Sequence, residues 1–485
     1  MSAPALPASL PLGEQLKRRK PIVFRHHHHP GEELARNLTT FQLMMFGVGA
    51  TVGTGIFFVL TETVPKAGPA VVASFIIAGI VAGLTAICYA EMSSMIPVSG
   101  STYSYAYATL GEIVAFVVAA CLMLEYGIAG SAVAVGWSDY LNKLFEILFG
   151  FGLPPALSHA PIEFSDHVLR WSDTGVINLP AVIVVMMCTA LLAKGAQESA
   201  RVNAIMVTIK LGILLMFCTI AFTGFSSANF APFSPHGMSG INAAAATIFF
   251  SYVGLDAVST AGEEVENPRR NLPLAIMLAL VIVTTVYVLV AFTAMGAQPA
   301  AEFEGQSAGL ATILEKVTGS TIPSGILSAG AVISVFSVTL VILYGQSRIL
   351  FVMSRDGLVP ARFHLLDPKT KAPRLNTFTV GCLVALIAAF TPSAILWDMV
   401  SMGTLVAFMV VSAGVIILRY TYPDMPRGFK VPLFPILPIL SIASCLYLIF
   451  SLPNLVYMLT TVWLVLTLTV YFIYSIRNSR LEQEA

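Results

Sequence analysis

Three ionisable side chains lie deep inside otherwise apolar stretches of this 485-residue sequence: Glu125, Lys210 and Asp256. A charge at the centre of a helix in hydrocarbon costs about 2.5–3.5 kcal/mol on insertion scales, so each needs a reason to be there. Lys210 stands about ten residues from either end of its stretch. That is roughly 15 Å of helix, too far for its stem to reach water. Two readings follow: an ion pair with a carboxylate, or a buried amine that takes up and releases a proton because its charge is poorly solvated. Asp256 either caps a helix that resumes beside it or faces a cavity and holds a ligand group. Glu125, in Leu124-Glu-Tyr126, pairs with Lys210, lines a polar path, or accepts from a tyrosine or backbone donor. The acids Glu263, Glu264 and Glu266 belong to a charged run ending at Arg270 and are expected to face water, paired with neighbouring bases.

The elements that must position these groups are themselves unusual. Gly47-Val-Gly-Ala-Thr-Val-Gly-Thr-Gly-Ile-Phe57 places four glycines within nine residues, each costing a helix up to about 1 kcal/mol against alanine. Close packing through Gly49 and Gly53 is one explanation. A helix unwound at mid-membrane is the other, its freed amides and carbonyls lining a cavity, because irregular backbone exposed to lipid is too costly. A dinucleotide fingerprint fails, since no strand precedes the glycines and their spacing is GxGxxxG. A second interruption falls at Gly254 in Phe249-Phe-Ser-Tyr-Val-Gly-Leu-Asp-Ala-Val258, two residues before Asp256.

The wider composition explains where such elements sit. The chain is 56% hydrophobic and only 11% charged, with mean hydropathy +0.82, whereas soluble domains carry about a quarter charged residues. Its 26 basic and 26 acidic side chains cancel, which excludes a nucleic-acid binder working through a basic field. Twelve apolar stretches are long enough to be read as spans, near 40–62, 68–90, 113–137, 177–194, 200–223, 241–262, 272–296, 323–352, 376–391, 394–419, 432–452 and 454–475. Period-two alternation is missing from them, so a β-barrel does not fit. Alternate connections that include the N-terminus hold 21 of the Lys and Arg residues, the other side holds 4, and Lys210 is inside a span. The positive-inside rule then places both termini in the cytoplasm of a multi-pass protein of the cell membrane. The first 38 residues lack an apolar h-region, so no cleavable signal is expected. His26 to His29 are read as a solvated tail, and the six cysteines, all within spans and without CxxC spacing, as buried fillers. No metal site is expected.

The two interrupted spans open successive blocks of five. An odd-numbered repeat is necessarily inverted in the membrane, and paired broken spans at corresponding positions point to a central binding site. The expected units are a tail at 1–38, a first five-helix repeat at 39–223, a second at 224–420, two further helices at 421–476 and a tail at 477–485.

Several segments together resemble a known family. GVGATVGTGIF (Gly47–Phe57), AEMSSMIPVSGSTYSYAY (Ala90–Tyr107), ESARVNAIMVTIK (Glu198–Lys210), FFSYVGLDAVSTAGEEVENP (Phe249–Pro268) and YGQSRILFVMSRDGLVP (Tyr344–Pro360) look like the amino acid–polyamine–organocation transporters. LEYGIAGSAVAVGWSDY (Leu124–Tyr140) looks most like their cationic amino acid transporter branch. The resemblance implies an all-α, twelve-helix membrane fold built as a five-plus-five inverted repeat, LeuT-like, with helices one and six broken and two extra C-terminal helices. It implies that Thr51, Gly53, Thr54 and Gly55 offer donors to a substrate carboxylate. Carbonyls near Phe250, Ser251 and Val253 would receive the ammonium, Asp256 would lie beside the substrate, and Phe250 would cover it.

Lys210 matches a lysine that, in proton-coupled relatives, stands where sodium sits in sodium-coupled ones. Protons, and no sodium, are therefore the expected coupling ion. Thr51 departs from the aliphatic residue common at its position. The resulting expectation is a proton-driven L-amino acid permease embedded in the lipid bilayer, with no enzymatic chemistry, no cofactor and no catalytic residue. Its rivals are an obligate exchanger, an amino acid sensor and an integral membrane enzyme, the last disfavoured by the absence of clustered ligands or nucleophile–base pairs. Cationic against neutral substrates, a homo-oligomer and a small accessory subunit are left open by the residues.

Overall fold

The computed structural model describes residues 12–20, 34, 36–165, 168–172, 174–304, 306, 309–391, 393–450 and 454–480. The histidine run at 26–29 lies outside them. Each of the twelve apolar stretches contains a helix or a pair of helical pieces. A short α1 (Leu12–Leu16) precedes α2 (Thr40–Thr51), α3 (Thr54–Ala67), α4 (Val71–Met95), α5 (Ser101–Thr109) and the 38-residue α6 (Glu112–Phe149). Next come α7 (Pro155–Ser158), a β1–β2 hairpin (Ile162–Ser165 with Val168–Trp171), α8 (Leu179–Leu192), α9 (Ala196–Thr223) and α10 (Gly237–Phe249). The remainder is α11 (Pro268–Ala297), α12 (Gly309–Thr318), α13 (Thr321–Arg355), α14 (Arg374–Phe390), α15 (Ser393–Thr421), α16 (Ile436–Phe450), α17 (Asn454–Val470) and α18 (Ile476–Asn478).

Seven described stretches are long and apolar enough to cross a bilayer: Val59–Met95, Glu112–Phe149, Gln197–Thr223, Pro268–Ala297, Thr321–Arg355, Met402–Thr421 and Asn454–Asn478. Leu179–Leu192, Arg374–Phe390 and Ile436–Phe450 are apolar but shorter. The long α6 packs along α13 and α15, and α4 along α11, so these helices form the body around which the broken segments run. Large apolar side chains also point outward, with Phe450 79% and Ile473 67% exposed. Apolar groups on the outside as well as in the core suit a chain whose solvent is hydrocarbon. Cys382 faces outward too, against the expectation that all six cysteines are interior; the other five are buried and none is bridged. The α14 helix that carries Cys382 packs on one face only.

Both glycine-bearing spans are interrupted. Helix α2 begins with a capping box in which Gln42 N–H donates to Thr39 Oγ1 (3.3 Å) and Thr39 N–H to Gln42 Oε1 (3.1 Å). It stops at Thr51, and α3 starts afresh after Val52 and Gly53. The other interruption is wider than the single glycine implied. Helix α10 ends at Phe249, a 3-10 turn covers Phe250–Tyr252, and a second 3-10 segment runs from Leu255 to Ala261. Gly254 joins them at φ +110°, and a Cβ there would lie 2.9 Å from Ala50 Cβ and 3.2 Å from its carbonyl carbon. A left-handed turn and the close approach of the two breaks both require glycine.

The acidic run after this segment is not solvated as expected. Glu263 and Glu264 are buried, paired with Arg355 and Arg348 of α13, whereas Glu266 is exposed. Their partners are about ninety residues away, so packing rather than local charge decides their burial. At the same end of the molecule, residues 17–20 dock through Arg18–Glu112 (3.5 Å) and Lys20–Asp356, and Arg18 also donates to the Ile476 carbonyl. This is the termini-bearing end.

Candidate functional site

A cavity opens where the two breaks meet α6 and α13. The first break contributes Ala50, Thr51, Gly53 and Gly55, and the second Ser251, Val253 and Gly254. Helix α6 adds Glu125, Tyr126, Ala129 and Val133, and α13 adds Val338 and Ile342. Spacing of four residues puts Glu125, Ala129 and Val133 on one face of α6, and Val338 and Ile342 on one face of α13. The wall is therefore aliphatic along most of its length and acidic at one end. About 50 Å³ of it admits the centre of a water molecule, room for a few waters.

The broken helices supply opposite polar ends. No side chain caps α3, whose N-cap is Gly53, so its first amides are left for a ligand or water. The α-helical ladder of α10 ends at Phe249 and passes into the 3-10 turn at Phe250–Tyr252, which leaves some carbonyls of its last turn without α-helical partners. Helix dipoles add partial positive charge at the start of α3 and partial negative charge at the end of α10. Gly55 allows this crossing: a Cβ there would lie 2.6 Å from Ser251 Oγ and 3.2 Å from Ser251 Cα. Tyr287 of α11 ties the breaks together, its hydroxyl lying 2.7 Å from the Thr51 carbonyl and 3.0 Å from the Ser251 carbonyl. Thr51 Oγ1 donates to Gly47 O (2.7 Å), so that hydroxyl serves its own helix. The side chains of Thr54 and Phe250 lie outside the described atoms.

Glu125 lies on the cavity wall, whereas Asp256 is buried against Tyr126 of that wall, and the two carboxylates are held separately. Tyr126 donates to Asp256 Oδ2, and Thr404 of α15 donates to Glu125 Oε1. Glu125 Oε2, Asp256 Oδ1 and Ser251 Oγ are buried with no hydrogen-bond partner. Unmatched buried oxygens are costly, and two of these, on Glu125 and Ser251, belong to residues of the cavity wall, where a donor would be welcome.

Lys210 pairs with neither acid. Its buried Nζ donates to Gly49 O (2.9 Å), to Val52 O and to Ser337 Oγ (3.2 Å), which satisfies all three N–H bonds of an ammonium. Ser334 and Ser337 of α13 also donate to Val52 O (3.1 Å) and Gly49 O (3.4 Å). The carbonyls left bare where α2 unwinds are thus shared between one lysine and two serines. Sequence reasoning singled out Lys210, Glu125 and Asp256 because charge in an apolar run is conspicuous. It missed Tyr126, Tyr287, Ser334, Ser337 and Thr404, since isolated hydroxyls in a membrane helix are commonplace. The aliphatic wall on α6 and α13 had no signal beyond its spacing of four.

Comparison with known proteins matches residues 38–475 to the family described as amino acid permease. The methylthioribose transporter of Bacillus subtilis is 42% identical over 473 residues, covering 96% of this chain and 99% of the relative. The branched-chain amino acid permease of the same organism is 42% identical over 452 residues, covering 93% and 96%. The vacuolar cationic amino acid transporter 4 of Arabidopsis thaliana is 35% identical over 422 residues, covering 84% and 68%.

Proposed function

The chain belongs to the amino acid permease family, a membrane transporter rather than an enzyme, and from that premise we propose that it carries neutral, aliphatic L-amino acids together with protons. One observation carries the reading: the open N-terminus of α3 and the segment that follows α10 line one cavity whose remaining wall is aliphatic apart from Glu125 and Tyr126. A zwitterion needs donors for its carboxylate and acceptors for its ammonium, which these two ends offer. Gly53, Thr54 and Gly55 would hold the carboxylate. Carbonyls of Phe250, Ser251 and Val253, with Asp256 and Glu125 nearby, would hold the ammonium. Ala129, Val133, Val338 and Ile342 would surround the side chain. Twelve spans, arranged as two inverted sets of five with two further helices, would rock around this site. The 21-to-4 distribution of basic residues supports a cytoplasmic location for the termini-bearing end in the cell membrane.

The case for proton coupling rests on Lys210. Its Nζ fills an oxygen cage at the break in α2, the kind of position a bare cation would occupy. When the amine gives up its proton, one donor is lost, and the Ser337 hydroxyl can swing its single proton from Gly49 O to the amine. The backbone at the break would feel that change directly.

A second reading has equal identity behind it, a thioether sugar such as methylthioribose. It has no carboxylate and would leave the start of α3 facing no anion. Thermal stabilisation of the purified protein distinguishes the two, because a ligand that binds the folded state raises its melting temperature by mass action. Stabilisation by leucine, isoleucine or valine, and not by lysine or methylthioribose, is the expected pattern; stabilisation by methylthioribose alone would refute the amino acid assignment. Uptake into empty liposomes under an inward proton gradient tests symport, and strict dependence on internal amino acid would show exchange instead.

A further inference from the structure

Resting on that transport reading, one cluster outside the cavity has a geometry of its own. From Leu255 to Val265 every residue is buried, so a packed layer separates the cavity from the termini-bearing end. The layer closes on two ion pairs. Arg355 grips Glu263 with both terminal nitrogens, Nη1 to Oε2 at 2.7 Å and Nη2 to Oε1 at 2.6 Å, and the Ser99 amide adds a bond to Oε1 at 3.2 Å. Arg348 Nε donates to Glu264 Oε1, which also accepts from Tyr344 OH at 2.8 Å. The Arg348 guanidinium lies 4.6 Å from the centroid of the Tyr344 ring, and that ring stacks on Phe46 of α2 at 5.0 Å. All four charged side chains are no more than 7% exposed.

The segment so gripped is also joined to the other broken helix. Leu38, just before α2, forms a parallel bridge with Val265; its amide donates to Glu264 O (2.9 Å), and Glu266 N–H donates to Leu38 O (3.1 Å). The near ends of both broken segments are therefore one unit, and the two arginines fasten that unit to α13. The N-terminal strap reinforces the same helix end, since Lys20 and Tyr103 (2.8 Å) both bond Asp356, the residue after Arg355. A substrate leaving the cavity toward this end must part the unit from α13.

We propose that Glu263–Arg355 and Glu264–Arg348 form the latch of the permeation path at this end, shut in the present conformation and broken when the path opens there. Buried pairs suit a latch, the bidentate Glu263–Arg355 above all, because it has one good geometry and loses it all at once. Opening at this end and closing at the other are then two readings of one equilibrium, which the latch biases.

The test uses the full-length protein in liposomes with Cys382→Ser, the other five cysteines being buried. One reporter thiol, Ser259→Cys, lies inside the layer between Asp256 and Glu263. Another, Ser328→Cys, lies roughly 40 Å along α13 at 1.5 Å per residue, beside Phe57 and Tyr140 at the opposite end. Maleimide labelling rates are compared in the parent, in Glu263→Gln, in Glu264→Gln and in Arg355→Ala. The expected result is a rise of about tenfold or more at position 259, a coupling of ordinary size, with a fall at position 328. A structural staple alone would not produce that reciprocal fall. Parental rates at both positions in variants that melt and bind leucine as the parent does would overturn the latch. If Arg355→Ala does not fold, the near-isosteric Glu263→Gln decides. Reciprocal changes in a protein that moves no amino acid would uphold the latch and sink the transport reading; unchanged rates in a protein that does transport would sink the latch alone.

Discussion

Replacing Lys210 by methionine, of similar reach but without charge, separates the coupling role of this residue from its structural one. The ammonium makes three hydrogen bonds, to Gly49 O, Val52 O and Ser337 Oγ. Bonds to a charged group contribute about 1.5–3 kcal/mol each, roughly 4–9 kcal/mol together. Against them stands the desolvation of a buried ammonium, several kcal/mol by itself. Both carbonyls also keep a serine donor after the change, Ser334 to Val52 O and Ser337 to Gly49 O. The two sides nearly cancel, so stability should shift by no more than about 2 kcal/mol and the fold should survive. Coupling should not. One proton per substrate across about one pH unit is worth 1.4 kcal/mol, or about tenfold accumulation. Liposomes alkaline inside, clamped at zero potential, should accumulate leucine about tenfold with the parent and not at all with Lys210→Met, while exchange of labelled for unlabelled leucine continues. Retention of tenfold accumulation by Lys210→Met would refute the argument that this amine carries the proton.

Three further outcomes follow from the same geometry. Gly55→Ala drives a methyl to 2.6 Å from Ser251 Oγ; overpacking of this kind costs about 1–3 kcal/mol, so melting should occur several degrees earlier and leucine should no longer stabilise the protein. Tyr126→Phe strips Asp256 of its hydroxyl donor beside the cavity, at about 1–3 kcal/mol for a buried acceptor left unmatched; leucine binding should weaken by about tenfold or more, and unaltered affinity in titration calorimetry would remove Tyr126 from the site. Val133→Phe fills the aliphatic wall, so competition assays should show leucine and isoleucine losing at least about tenfold in affinity while alanine and glycine are retained.

The places where the helices break, and hence the candidate cavity, were legible along the chain, and the construction of that cavity was not. Glycine clusters announce unwound helices because no other residue is so poor a helix former without being proline, and Gly53 and Gly254 do mark the interruptions. Charges in apolar runs announce themselves through their insertion cost, which is why Glu125, Lys210 and Asp256 stood out. Their partners did not. Of the two readings of Lys210 in the sequence, the ion pair with a carboxylate is not what the structure holds: the amine donates to carbonyls freed by the break in α2, groups that every residue owns and no sequence displays. Glu263 and Glu264 show the converse error. Their setting among Arg269, Arg270 and Asn271 reads as a solvated charge run, yet α13 buries them against Arg355 and Arg348.

What the sequence determined by itself was everything local or additive: apolar stretches, the places where they break, the sidedness expected from basic residues, and the few charges that had to be functional or paired. Tertiary structure alone decided which oxygen faces which donor, because those contacts join residues 36 to 288 positions apart and depend on ångström-level approach between helices. Tyr287 reaching both breaks, Thr404 meeting Glu125 and Ser337 completing the Lys210 cage are all of that kind. Hydrophobicity places a residue in the membrane, and only packing chooses its neighbour.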